Sequence, residues 1–217
     1  MQAFLDESGT NPELPILTVA GCYGEQDQWT EFRRMWEPHS AKFHAKNCSP
    51  LFSAIVSAMA GADIHAMLVS VRKAGFKQSA SPHFKTALGN EYASCALLCV
   101  AKICDEITPK KSSFVLEAGQ PNVGFVKQIL ESMMDTGEWG ISSVASAQKA
   151  EFIELQSADF VSHIASTYDR PWMQELFDLR LLKHVHVTQE HLENTSPILK
   201  DLFQKVRAIR RAIKKKR

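Results

Sequence analysis

The sequence predicts an α/β protein with a mixed five-stranded sheet, helices on both faces of the sheet and a C-terminal helical extension. A short apolar segment is followed, across a turn that contains two prolines, by a second apolar segment, which is the pattern of an antiparallel hairpin. After this hairpin, segments with helical spacing alternate with strand-like apolar runs. Such an order is typical of a mixed sheet that helices cover on both faces.

The five predicted strands are apolar runs bounded by turn residues or charged residues. They cover residues 3–5, 16–22, 64–71, 113–116 and 141–145. The first strand ends at Ser8-Gly9, and the second follows so closely that the two are expected to pair as a hairpin.

The predicted helices have apolar positions at helical spacing, and two of them stop at a proline or a glycine. They cover residues 29–36, 51–60, 92–107, 123–134, 155–168, 172–182 and 196–213. The polar segment 74–82 is predicted to be a loop. Because no repeat or linker divides the chain, we assign residues 1–170 to one α/β domain and residues 171–217 to the helical extension with its basic tail.

The composition is that of an ordinary globular protein, with 45% hydrophobic and 23% charged residues in 217. No apolar run approaches the roughly 18 residues that a membrane span needs. The N-terminus begins with a strand instead of the basic and apolar segments of a secretory signal. Five cysteines without a CxxC pair favour small core residues in a reducing compartment over a zinc site. We therefore expect a cytoplasmic protein that does not contact membranes.

The net charge of +1 hides an uneven distribution of charge along the chain. Residues 205–217 contain eight basic residues and no acidic residue, which leaves 17 basic and 24 acidic residues in the rest. A basic tail of this kind is consistent with contacts to the phosphates of RNA or DNA. It is equally consistent with a solvated helix end, because positive charges stabilise the C-terminus of a helix.

Three carboxylates occupy positions where packing alone favours an apolar residue. Asp6 follows the first strand, Glu117 ends the fourth, and Asp159 lies among small residues of the helix 155–168. Ligands of open α/β sheets gather at the carboxyl ends of strands, so Asp6 and Glu117 are expected at one edge of the sheet. Helical spacing turns Asp159 towards the sheet.

Buried carboxylates that converge repel one another unless protons or cations neutralise them. Hard oxygen ligands suit Mg²⁺ or Mn²⁺, and two such ions about 4 Å apart can activate water for phosphodiester hydrolysis. Each acid also has a structural interpretation. Asp6 could form part of a tight turn, Glu117 could end a strand in solvent, and Asp159 could form an ion pair or cap a neighbouring backbone group. The coincidence of the three favours a metal site.

Four motifs carry a resemblance to a known family. They are FLDESG at the start, Phe43-His44-Ala45, Glu91-Tyr92, and LQSADF late in the chain. Across residues 3–168 the chain resembles the DUF3800 family of uncharacterised proteins, which is grouped with the ribonuclease H-like superfamily. The resemblance implies a ribonuclease H-like fold and a divalent-metal-dependent nuclease or a related role in nucleic-acid processing.

By position, the resemblance implies that Asp6 is the first-strand aspartate, Glu117 the central-strand acid and Asp159 the late-helix acid. Glu7 and Glu91 are candidates for a fourth metal ligand. The sequence departs from ribonuclease H in two ways. The central-strand acid is more often aspartate there, and ribonuclease H has three consecutive strands where only one hairpin precedes the first helix here.

Three further polar residues complete the predicted site. His44 lies between two predicted helices and is a candidate catalytic residue, as a proton shuttle or a phosphate contact, with local hydrogen bonding as the alternative. Gln156 is a candidate to orient the carboxylate of Asp159 or to donate to a substrate oxygen. Ser8 is assigned to substrate binding as well.

Two other functional classes remain open from the sequence. Asp6-Glu7-Ser8-Gly9-Thr10 after an apolar strand matches the loose DxxGT pattern of a haloacid-dehalogenase-type phosphatase, with Asp6 as nucleophile. Against it, Ser8 occupies the usual second acid position, and a strand follows where that fold places an insertion and a helix. The third class is a non-catalytic module that binds nucleic acid or protein.

Overall fold

The computed structural model describes residues 1–11, 13–41, 43–80, 90–119 and 122–188, together with residues 204, 206–209 and 211. Six strands form a single sheet: β1 (Gln2–Ser8), β2 (Ile16–Gly24), β3 (His65–Arg72), β4 (Ser112–Glu117), β5 (Ile141–Ala147) and β6 (Leu182–Val187). Their order across the sheet is β5-β4-β1-β2-β3-β6. β2 runs antiparallel to β1 and β3, while the pairs β1–β4, β4–β5 and β3–β6 are parallel. The carboxyl ends of β1, β4 and β5 therefore lie at the same edge.

Helices cover both faces of this sheet. They are α1 (Gln26–Ser40), α2 (Phe52–Gly61), α3 (Lys73–Ser79), α4 (Glu91–Ile107), α5 (Val123–Asp135), α6 (Leu155–Ser166) and α7 (Arg170–Asp178), with single 3-10 turns at Ala45–Asn47, Ser49–Leu51 and Glu138–Gly140. One hydrophobic core lies between the sheet and the pair α4 and α5. A second core lies on the opposite face, between the sheet and α1, α2 and α6.

The alternation of side chains along β1 distributes its acids between these two faces. Phe4 packs in the core under α6, and Leu5 packs in the core under α4. Because successive side chains of a strand point to opposite faces, Asp6 shares the α6 face with Phe4, and Glu7 shares the α4 face with Leu5. The side chains of Asp6 and Glu7 thus leave the strand on opposite sides, although an oxygen of each lies within 4.8 Å of the other near Glu117.

The sheet has six strands where five were predicted. The prediction that residues 171–217 form only a helical extension is wrong for Leu182–Val187, which pairs with β3 as an edge strand. The error has a physical cause, because only the first and last residues of β6 are buried and its exposed residues hide the period of two. The predicted loop 74–82 is likewise wrong for Lys73–Ser79, which forms α3.

A third antiparallel strand, β3, lies beside the β1–β2 hairpin in the sheet, although it does not follow the hairpin directly in the chain. β3 pairs with β2 over eight residues after α1 and α2 have intervened in the chain. The two helices are therefore an insertion between the second and third strands, and they fill the α6 face of the sheet.

The C-terminal segment is described only in part. Residues 204, 206–209 and 211 are helical, within the predicted helix 196–213. Val206 and Ile209 are buried in the core under α4. The end of the basic tail, residues 212–217, lies outside the described residues. No helix in the described part of the chain is long and apolar enough to cross a membrane.

The hairpin between β1 and β2 depends on Gly9. Its φ is +81°, and a Cβ at this position would lie 2.1 Å from the carbonyl oxygen of Ile16. We expect Gly9→Ala to lower the free energy of unfolding by about 2–3 kcal/mol, because the backbone of both strands must shift. Urea denaturation measures this loss. Gly124→Ala is the matched control: a Cβ there meets nothing within 4 Å, so the variant should be at least as stable as the parent.

Candidate metal centre

The three predicted acids converge at the carboxyl ends of β1 and β4. Asp6 is 1% exposed on β1, Asp159 is 4% exposed on α6, and Glu117 ends β4. The carboxylates all contact the ammonium group of Lys149. Lys149 Nζ lies 2.9 Å from Asp6 Oδ2, 3.1 Å from Glu117 Oε1 and 3.0 Å from Asp159 Oδ1. A cation therefore fits at the point where the three carboxylates meet.

Lys149 is the residue of this centre that the sequence did not predict. It follows β5 by two residues, in a turn where no periodic pattern distinguishes it from a solvated lysine. Only the strand pairing identifies Lys149, because β5 pairs with β4 so that Ala147 lies opposite Glu117. A residue just after β5 is thereby brought to the same edge as the acids.

Asp159 has a second set of partners on its other oxygen. Oδ2 accepts a hydrogen bond from the backbone N–H of Ala45 at 2.8 Å, and His44 Nδ1 lies 3.9 Å away. The backbone N–H of Lys46 donates to the same His44 Nδ1 at 3.4 Å. An accepting Nδ1 leaves the proton of a neutral imidazole on Nε2. The side chain of His44 is 56% exposed, so the ring is open to solvent.

Glu7 forms the opposite side of the cluster. Its side chain is buried, and Glu7 Oε1 has no hydrogen-bond partner. One ligand atom from each of Asp6, Glu7 and Glu117 lies within 4.8 Å of the others. Asp6 Oδ1 accepts from the backbone N–H of Glu7 at 2.8 Å, whereas Asp6 Oδ2 is close to Lys149 without hydrogen-bond geometry. The cluster thus contains two buried carboxylate oxygens that lack a hydrogen bond.

The excess negative charge shifts the pKa of several groups. Burial raises the pKa of Glu7 to about 8, with the charge of Glu117 as a further cause. Burial and the neighbouring carboxyl of Glu117 raise the pKa of Asp6 well above its usual range. Burial alone would lower the pKa of Lys149, but the carboxylates of Asp6 and Asp159 outweigh it and raise that pKa. One ammonium does not balance the carboxylates, and a further cation would.

A cavity of about 530 Å³ opens beside Glu117 and Lys149. It is bounded by the end of α1, the segment with His44 and the turn before α6, and Gln156 contributes to its lining. The amide of Gln156 already has structural partners. Its oxygen accepts from Trp36 Nε1 at 2.7 Å, and its nitrogen donates to the carbonyl oxygen of Ser40 at 3.1 Å. One amide hydrogen remains for a ligand, so substrate binding by Gln156 stays a prediction.

Ser8 and Glu91 lie apart from the point of convergence. The Ser8 hydroxyl is 2.8 Å from the hydroxyl of Ser166, at the far end of α6. Glu91 is in the first turn of α4 and does not belong to the acid cluster within the described part of the chain. The acid cluster does affect its neighbour Tyr92: burial first, and then the charge of Glu7, raise the pKa of that phenol. A role for Ser8 or Glu91 stays a prediction.

Solved structures that match this architecture include ribonucleases. Bst-RNase HIII in complex with Mn²⁺ matches with a TM-score of 0.54 at 14% identity, over 96% of this chain and 69% of that one. A mutant of Bst-RNase HIII matches over the same shares with a TM-score of 0.52 at 13% identity. This chain has a ribonuclease H-like fold. Ribonuclease H2 from Pyrococcus horikoshii OT3 also matches, with a TM-score of 0.49 at 10% identity, over 95% of this chain and 98% of that one.

The ribonuclease H-like fold confirms the predicted fold class, with one strand more than expected. No protein-family model matches the sequence, and no curated protein does. Membership of the DUF3800 family therefore stays a prediction.

Proposed function

We propose that this chain is a divalent-metal-dependent nuclease that hydrolyses phosphodiester bonds of nucleic acid. The observation that carries the proposal is the convergence of four carboxylates, Asp6, Glu7, Glu117 and Asp159, beside an open cavity on a ribonuclease H-like sheet. Ribonucleases are among the proteins that share this fold, and one of them was solved with Mn²⁺.

The donor set supports a hard divalent cation. All the candidate ligands are carboxylate oxygens, which Mg²⁺ and Mn²⁺ prefer, and no thiol is among them. Glu7 Oε1 is buried without a hydrogen-bond partner, a costly state that a bound cation relieves. We assign the ion to Asp6, Glu7, Glu117 and Asp159. When bound, it would lower the pKa of a water molecule and stabilise the charge that develops on the phosphate oxygens.

The other residues of the site would position the substrate. The cavity is lined by Glu117 and Lys149 of the cluster and by His44, so a phosphate and its sugar can approach Glu117 from the side of His44. His44 carries its proton on Nε2 when Nδ1 accepts from Lys46, and a proton on Nε2 of this exposed side chain suits a contact to a phosphate oxygen or a leaving group. Gln156 is held by Trp36 and Ser40 at the same cavity.

The basic C-terminal segment supports nucleic acid as the substrate class. Residues 205–217 carry eight basic residues, and within the described part Arg207 and Arg211 are exposed. Val206 and Ile209 of this segment are buried in the core under α4, so the exposed Arg207 and Arg211 are held at the surface of that face. Positive charge of this density attracts the phosphate backbone irrespective of base sequence.

The test is cleavage of labelled RNA, DNA and RNA–DNA hybrid by the purified chain with Mn²⁺ or Mg²⁺. We expect cleavage that EDTA abolishes. Asp6→Asn should reduce cleavage at least about 100-fold, because Asp6 contacts Lys149 and also belongs to the cluster with Glu7 and Glu117. Asp135→Asn, an exposed acid at the end of α5, is the control and should cleave like the parent. Equal cleavage by folded Asp6→Asn would contradict the proposal.

The same purified protein can be used to distinguish the phosphatase from the nuclease. The phosphatase requires an insertion and a helix after the first strand, whereas β1 turns directly into an antiparallel partner. Capture of an aspartyl-phosphate analogue at Asp6 would favour the phosphatase over the nuclease.

A further inference from the structure

The ammonium group of Lys149 occupies the position of a cation in the acid cluster. It is about equally distant from oxygens of Asp6, Glu117 and Asp159, which come from β1, β4 and α6. A divalent ion bound by the same three oxygens at about 2.1 Å would overlap the ammonium. Lys149 and a metal ion therefore exclude each other from this point.

The backbone around Lys149 is held in place. Ala118 N–H donates to the carbonyl oxygen of Ala147 at 2.8 Å, which fixes the end of β5 beside β4. In the turn that follows, Gln148 N–H donates to the carboxylate of Glu151 at 2.7 Å, and Glu151 N–H donates back to the carbonyl of Gln148 at 2.9 Å. The side chain of Lys149 is only 18% exposed. Lys149 is thus a built part of the cluster and not a surface lysine that happens to reach it.

A second position for a cation lies on the side of Glu7. Glu7 is not within ion-pair distance of Lys149, whose charge acts on it from farther away, and Glu7 Oε1 is buried without a hydrogen-bond partner. Ligand atoms of Asp6, Glu7 and Glu117 lie within 4.8 Å of one another. An ion with ligands at about 2.1 Å bridges oxygens about 4.2 Å apart, so small side-chain rotations bring these three onto one ion. Asp159 is not a member of this set.

We propose that Lys149 replaces one of two metal ions and that the site binds a single divalent ion between Asp6, Glu7 and Glu117. The inference rests on the proposed metal dependence and narrows its ligand set. Asp159 then has a different task, which is to hold Lys149 on one oxygen and the backbone of Ala45 on the other. The lysine supplies permanently the positive charge that a second ion would otherwise bring.

The number of bound ions tests this inference. Mn²⁺ is titrated into the intact chain, free Mn²⁺ is followed by electron paramagnetic resonance, and the stoichiometry is confirmed by calorimetry. We expect one Mn²⁺ per chain, at least about 10-fold weaker binding by Glu7→Gln, and retention of one ion by Asp159→Asn. Lys149→Ala should bind two ions because it frees the second position, whereas Lys149→Arg keeps the cation and should bind one.

The outcomes separate the two proposals. No Mn²⁺ binding by the parent chain would overturn the proposed metal dependence itself. Two ions in the parent would overturn the role of Lys149 while leaving a metal-dependent nuclease intact. One ion that Asp159→Asn abolishes and Glu7→Gln retains would also overturn it, because the metal would then displace the lysine. If Lys149→Ala does not fold by circular dichroism, the comparison of Glu7→Gln with Asp159→Asn decides alone.

Discussion

Lys149→Met should lower the free energy of unfolding by about 3–5 kcal/mol at pH 8 in EDTA. The variant leaves the carboxylates of Asp6, Glu117 and Asp159 without their common cation, and breaking a buried ion pair from one side has a cost of this order. The measurement is urea denaturation. Lys111→Met is the control: Lys111 is exposed, so this variant should lose little of the free energy of unfolding.

The loss should depend on pH in a defined direction. The pKa of Lys149 is raised in the folded state, so its stabilising contribution is complete at pH 8 and is lost only above its ordinary pKa of 10.5. Asp6 and Glu7 have raised pKa values, so they take up protons and shed their repulsion as the pH falls towards 4.5. The deficit of Lys149→Met should therefore shrink between pH 8 and pH 5. An equal deficit at both pH values would mean that Lys149 acts through packing alone.

Glu7→Gln should have opposite effects on stability without and with metal. Burial raises the pKa of Glu7 from 4.5 in the unfolded chain to about 8 in the folded chain. Its contribution to stability is thus lost as the pH rises from 4.5 through 8, because the folded state must then hold a buried charge. In EDTA at pH 9 the variant should be more stable than the parent by about 1–4 kcal/mol, and the two should converge near pH 4.5.

Millimolar Mn²⁺ should reverse this order. A ligand that binds only the folded state raises the melting temperature, and Glu7 is a ligand in the proposed site. The parent should therefore gain stability from Mn²⁺ while Glu7→Gln gains little. Differential scanning fluorimetry across both pH values gives the comparison, with Glu37→Gln, an exposed acid of α1, as the control. A variant that Mn²⁺ stabilises as much as the parent would exclude Glu7 as a ligand.

The meeting of three acids could be predicted because each lies where a rule applies. Asp6 follows the last residue of β1 that pairs with β4, Glu117 ends β4, and Asp159 has helical spacing towards the sheet among small residues. Lys149 lies in a turn, where no period exists, and its position depends on the pairing of β4 with β5. Only the three-dimensional arrangement shows that the acids have an internal cation.

The failure to predict β6 has a comparable explanation. Strands are recognised by one buried and one solvated face, but β6 is an edge strand whose inner residues are exposed or half-buried. The same difficulty affected α3, whose seven residues bury only Phe76 and therefore lack an amphipathic pattern. Elements that bury little carry little signal in the sequence, whereas α4, buried nearly all round, was predicted to within one residue.

The hydrogen bond from Ala45 to Asp159 connects the wall of the cavity to the acid cluster. The segment that carries His44 is thereby ordered by the same carboxylate that holds Lys149. Any ligand that fixes this wall also fixes Asp159, and a change at the cation alters the wall in return. Asp159 holds Lys149, so the link runs from the cavity wall through Asp159 and Lys149 to the ion ligands Asp6 and Glu117. By thermodynamic reciprocity, a substrate that shifts this wall changes the affinity of the ion by the same factor by which the ion changes the affinity of the substrate.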